Sequence, residues 1–234
     1  MVKRSFLVMI ASLLFLAAPP VQAYEAHVEE VINAPTVTCK KPFSIDVTLD
    51  TWNKALDNPC LMGQLWAIYE FKPPYRVTRT DAGIHVSDPL GITGDIRQVD
   101  PSDHSRTFYG AGSFDHWAVP SFFTASGVVI FEYNTDREKL SGEVTIFMRG
   151  DNGISRFVMN IFSGILTRRI NNRIESQLEN IKMIIQDIVN DPQKIRVALT
   201  SQVLSNFDRV FPAAKIKPLE DQKILPDLQF RMDR

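Results

Sequence analysis

The chain has 234 residues, 44% of them hydrophobic and 23% charged, a balance that fits one generous domain with a sizeable core. Its formal net charge of −1 leaves no basic field to draw in nucleic acid. Lys3 and Arg4 precede an apolar run from Phe6 to Ala18, and Pro19-Pro20 leads into Val21-Gln22-Ala23, small residues where a signal peptidase needs them. Residues 1–23 therefore read as a cleavable export signal, because the run is shorter than the roughly 20 residues of a membrane span. The mature chain is expected to begin near Tyr24, to be soluble, and to reside in the periplasm or outside the cell. Removing Lys3 and Arg4 lowers its charge by two, to −3. Both cysteines, Cys39 and Cys60, fall in the exported part, where oxidising conditions favour pairing. A disulfide between them is the expectation, closing a loop of about 22 residues and contributing on the order of 3 kcal/mol.

Ala26 to Asn33 alternates enough to read as a strand ended by Ala34-Pro35. Thr48 to Leu56 and Cys60 to Trp66 read as two short helices separated by Asn58-Pro59. Six extended segments follow: Tyr75–Thr80, Gly83–Ser87, Gly94–Val99, Arg106–Phe114, Gly127–Asn134 and Gly142–Arg149. Asp, Asn, Pro and Gly between them supply hairpin chemistry, and the simplest arrangement is an antiparallel meander. Val129, Phe131 and Tyr133 are expected to face inward, with Val128, Ile130 and Glu132 toward water; in the next strand Val144, Ile146 and Met148 face inward. Gly110 and Gly112 share a face and would leave room beside a helix or ligand.

From Gly153 to Val189 apolar residues recur at steps of three and four, so one long helix is expected to lie on the sheet, capped by Asp151 or Asn152, kinked at Gly164 and stopped at Asn190. Pro192 restarts a short helix to about Phe207, and a polar tail punctuated by prolines closes the chain, giving an organisation of 1–23, 24–191 and 192–234.

Catalytic signatures are absent. The sequence has no HExxH, no GxSxG and no metal-ligand cluster, and Gly110-Ala111-Gly112 lacks the third glycine and the helix of a dinucleotide fingerprint. No catalytic residue, metal or cofactor is expected. Asp115 and His116 are neighbours and would point to opposite faces of a strand, so they make no relay. Arg168, Arg169 and Arg173 read as a solvated face that has the charge to grip a phosphate head group.

Strand, two short helices, meander and long helix: this order resembles the α+β helix-grip fold of the START and polyketide-cyclase (SRPBCC) superfamily. The resemblance spans about Ala26 to Asp191, and its carriers are the Thr48-to-Trp66 helical pair, the hairpin Gly83-Ile84-His85-Val86-Ser87-Asp88-Pro89, the strands Val128–Tyr133 and Val144–Met148, and the terminal helix. It implies a curved antiparallel sheet gripping the long helix, with a hydrophobic small molecule or lipid between them. The residues alone also point to an apolar hollow under such a helix. Its lining is expected from Phe108, Phe114, Val129, Phe131, Tyr133, Ile146 and Met148 of the sheet and Phe157, Ile161 and Ile165 of the helix. The aromatic connection from Phe114 to Phe123 would serve as a lid or a lip touching a membrane, or equally as a buried loop packed under the helix. An enzyme of cyclase or hydratase type would instead need convergent polar groups in the hollow, such as His85 with Asp95. A module that contacts an envelope protein would have a filled core.

Overall fold

The computed structural model describes residues 21–212 except 82, 90, 115–122 and 137–138, and the side chains of 21–24, 114 and 166 are also outside the description. The expected export signal lies almost wholly outside the described residues, as do the connection at 115–122 and the tail from 213. The elements run α1 (Val21–Asn33), β1 (Val37–Asp46), α2 (Leu49–Leu56), α3 (Pro59–Ile68), β2 (Arg76–Thr80), β3 (Gly83–Ser87), β4 (Ile92–Ser102), β5 (Ser105–Phe114), β6 (Thr124–Asp136), β7 (Lys139–Gly150), α4 (Gly153–Ile161), α5 (Ser163–Asn190), α6 (Pro192–Ala198) and α7 (Ser201–Val210).

The strands form one seven-stranded antiparallel sheet of order β1-β7-β6-β5-β4-β3-β2. The six-stranded meander is thus as expected, and β1 closes it by pairing with β7, Cys39 opposite Ile146 and Phe43 opposite Gly142. Gly94 and Gly112 are register partners on β4 and β5. A Cβ on Gly112 would stand 2.3 Å from the Thr93 carbonyl oxygen and 2.9 Å from the Gly94 Cα. These glycines permit close approach of two strands rather than leaving room for a ligand.

The sheet curls around α5, which runs beside β1 and carries Ile174, Leu178, Ile181, Ile184, Ile185 and Ile188 into the interior. This is the helix-grip arrangement. Thr48 caps α2 through its side chain, accepting from the Thr51 amide, and Pro59 opens α3 at a position where its missing N–H costs nothing. With α6 and α7 these helices plug one end of the concave face: Trp52, Leu61, Leu65, Tyr133, Leu140, Ile195 and Phe207 are all at most 2% exposed. Each such side chain contributes about 1.5–3 kcal/mol by leaving water.

Ala26 to Asn33 is helix, not strand. Val28, Val31 and Ile32 recur at helical spacing, and they pack on the convex side of the sheet against Tyr109, Val128, Ile130 and Phe147. This corrects the sidedness of β6 as well. Val129, Phe131 and Tyr133 do face inward, but Val128 is fully buried under α1 instead of facing water.

The long helix is two helices. Asn152 caps α4 by accepting from the Ser155 amide, and the backbone leaves helical geometry at Phe162, two residues before the expected kink at Gly164. Met159 and Ser155 are buried, whereas Phe157, only two residues from Met159 and so on the opposite side of the helix, is 65% exposed. The uninterrupted apolar stripe of the sequence is therefore two stripes, one facing out on α4 and one facing in on α5. Asp191 ends α5 and caps α6 through its side chain, and α6 and α7 replace the single short helix expected after Pro192.

Cys39 and Cys60 are both free thiols, so the expected disulfide is not formed. Cys39 points inward from β1 into the cluster of Val144, Met159 and Ile174, its Sγ 3.9 Å from the Thr167 carbonyl oxygen of α5, and burial pushes its thiol pKa up. Cys60 stands in the first turn of α3, and the two side chains belong to different layers.

Candidate functional site

Between α5 and the strands beyond β6, the concave face is less completely covered. Phe108, Val129 and Ile146 are register neighbours across β5, β6 and β7, all half-buried, and Phe108 meets Phe131 edge to face at 6.2 Å. Val129, Phe131, Ile146 and Met148 pack beneath α5 with Ile170, Ile174 and Leu178. Farther across, Ile84 and Ile96 pair on β3 and β4, and they and Val86 are half-buried and join none of the buried clusters among the described residues. An apolar floor thus extends from β7 to β3, with α5 over the β7 side and α3 against β2 beyond the other, where Gly63 lies on Val77.

A polar strut crosses from α5 to the far edge. Arg173 donates to the Tyr75 hydroxyl from Nε at 2.9 Å and from Nη2 at 2.6 Å, and to Asp88 Oδ2 at 2.7 Å. Gln177, one turn on, donates to the same hydroxyl. Asp88 is fixed by the hairpin it begins: its Oδ1 accepts from the Ile92 amide, and its side chain is wholly shielded from solvent. Burial raises the Tyr75 pKa, outweighing the lowering by Arg173. Burial alone would lower Arg173, but Asp88 and Tyr75 more than offset it, so the guanidinium stays charged. The strut therefore offers a protonated phenol and a guanidinium paired with Asp88 beside an apolar floor. Chemically this suits an amphipathic molecule with one polar end.

The expected lining divides. Phe108, Val129, Phe131, Ile146 and Met148 lie on the concave face, and Tyr133 does too, but Trp52 packs against it and its hydroxyl donates to Asn53 Oδ1 at 2.5 Å, so it belongs to the plug. Phe114 has no described side chain. Phe157, Ile161 and Ile165 are 65%, 58% and 57% exposed and do not line the floor, because the break at Phe162 changes which side of the helix meets the sheet. Of the three arginines, Arg173 is in the strut and Arg168 and Arg169 are exposed. Sequence reading missed Tyr75 and Asp88, which lie 98 and 85 residues from their partner.

His85 and Asp95 do meet, Nδ1 to Oδ1 at 2.9 Å, with Thr93 Oγ1 3.1 Å from Nε2. They occupy the convex side, however, since their neighbours Ile84 and Ile96 face the floor. Other clefts are peripheral. One of about 230 Å³ lies between β1 and α5, lined by Lys41, Phe43, Trp52, Glu175 and Lys182, and one of about 300 Å³ lies under α1 beside Tyr109, Ser126 and Asp151. Among the described residues no group of three or more His, Cys, Asp or Glu side chains could hold a metal ion.

No protein-family model and no curated protein sequence matches the chain. Solved structures do resemble it at low identity. Norcoclaurine synthase from Thalictrum flavum is 9% identical with a TM-score of 0.46, covering 64% of this chain and 86% of that one. Ara h 8.0201 is 8% identical with a TM-score of 0.41, covering 64% and 97%. CalU16 from Micromonospora echinospora is 10% identical with a TM-score of 0.39, covering 74% and 87%.

Proposed function

We propose that this protein is an exported carrier or sensor that binds a lipid-like or other hydrophobic small molecule between the concave sheet face and α5. The observation that carries the reading is the half-covered apolar floor from Ile146 to Ile84 with the Arg173–Tyr75–Asp88 strut at its far side. Phe108, Val129, Ile146 and Met148 would hold the apolar body, and Arg173 or the Tyr75 hydroxyl the polar end. Export rests on the N-terminal pattern of Lys3, Arg4 and the apolar run to Ala18.

Titration with a fluorescent fatty acid tests this. The parent should bind saturably, and Val86→Trp, which fills the floor, should weaken binding at least about tenfold, with circular dichroism checking that the fold is retained because Val86 pairs with Val77 beneath Gly63 of α3. Saturable binding that is identical in Val86→Trp would remove the floor from the account. The strut also favours a second reading, a cyclase- or hydratase-like enzyme using the same space, because Tyr75 and Arg173 are polar groups converging on it; the convex pair His85 and Asp95 lends that reading nothing.

A further inference from the structure

Helix α4 presents its apolar face to solvent. Ile154, Phe157, Ile161, Phe162 and Ile165 are all between 49% and 65% exposed. Ile154, Phe157 and Ile161 recur at steps of three and four, a row roughly 10 Å long on one face of α4, and Phe162 at the break and Ile165 in the first turn of α5 are exposed directly after it. Isolated exposed apolar residues need no explanation, whereas a contiguous row of this length marks a docking surface.

Charge identifies the occupant. Between Asp151 and Glu175 the chain carries Arg156, Arg168, Arg169 and Arg173 and no carboxylate. Arg173 is engaged with Asp88, but Arg156, Arg168 and Arg169 form no ion pair among the described residues. Arg168 and Arg169 are exposed and follow Ile165 by three and four residues, so they lie on its face of α5. A helical stretch with an apolar face whose own charges, from Arg156 to Arg173, are all cations has the make-up of one that lies in the interface of an anionic bilayer. Spanning is not involved, because no described helix is long and apolar enough to cross a membrane.

We propose that α4 and the first two turns of α5 dock on an anionic phospholipid surface, the apolar side chains entering the acyl boundary and Arg168 and Arg169 meeting the lipid phosphates. The inference goes beyond the binding reading and does not rest on it, since it uses the side of the helix turned away from the floor. Co-sedimentation with vesicles of phosphatidylcholine alone, and of equal parts phosphatidylcholine and phosphatidylglycerol, tests it. All variants carry the same N-terminal residues, so differences between them report the helix.

The parent should sediment with the anionic vesicles, less so at high salt, and little with the neutral ones. Phe157→Ser/Ile161→Ser should weaken that partition at least about tenfold. Arg168→Glu/Arg169→Glu, which leaves the apolar band intact, should also abolish the preference for anionic vesicles. Val197→Ser, at a residue 83% exposed on α6, should change nothing. Equal binding by the parent and both double variants would overturn the proposal, as would equal and salt-insensitive binding to both vesicles. A parent that ignores vesicles and instead forms a dimer split by Phe157→Ser/Ile161→Ser would overturn it in favour of a second copy of this chain.

Discussion

The two ends of the concave face are made from the same sheet and differ in what covers them. At one end Trp52, Tyr133, Ile184, Ile188 and Phe207 are sealed by α2, α3, α6 and α7. Toward the other, Ile84, Val86, Ile96 and Phe108 remain half-buried, and the contact from α5 to the far edge is polar. An apolar residue on the inner face is therefore no guide to its role. Where helices plug the sheet it holds the fold together, and where none of the described clusters takes it in it is left half-covered.

The largest effects should come from the plug. Trp52→Ala or Phe207→Ala removes a side chain at most 1% exposed and should cost about 3–5 kcal/mol, read from urea unfolding monitored by circular dichroism. Phe108→Ala, on the open side, should cost less than half as much. Equal losses would mean that the open end is packed like the plug.

Next is the strut. Arg173→Met removes the cation beside the shielded Asp88 and two hydrogen bonds to Tyr75, and should destabilise by about 2–3 kcal/mol. Combining it with Asp88→Asn should recover part of that loss, since the shielded charge is then gone. A double variant as unstable as the sum of the singles would show that the two side chains act independently.

The smallest effect is a pH dependence. Burial raises the phenol pKa values of Tyr69, Tyr75 and Tyr133 above the ordinary value near 10, and at Tyr69 the bond to Asp187 adds to it. The folded chain therefore keeps these protons to higher pH than the unfolded chain does. Their contribution is complete below about pH 10 and is lost as pH rises further. Unfolding midpoints should hold from pH 8 to about pH 10 and fall toward pH 11, and Tyr75→Phe should fall less steeply than the parent from a slightly lower starting point.

Much of the fold was legible in local chemistry. Gly83–Ser87 ends where Asp88 makes its turn, Asn152 caps α4, and Asn190-Asp191-Pro192 stops one helix and starts the next. What failed needed long-range information. Ala26 to Asn33 is too short for period alone to separate strand from helix, and misreading it exposed Val128 to water when α1 covers it. The run of apolar residues through Phe162 gave no sign that the helix breaks there, so Phe157, Ile161 and Ile165 were assigned to the wrong side. In the candidate site the sheet residues Phe108, Val129, Ile146 and Met148 could be found by alternation, but the Tyr75–Arg173–Asp88 contact joins segments that no local pattern connects.

Native mass spectrometry of the gently purified protein, set against its denatured mass, tests the binding account most directly. A mass excess in the lipid range that vanishes on denaturation and is absent from Val86→Trp is the predicted result. A bare native mass for the parent, with no saturable uptake of added fatty acid, would contradict it.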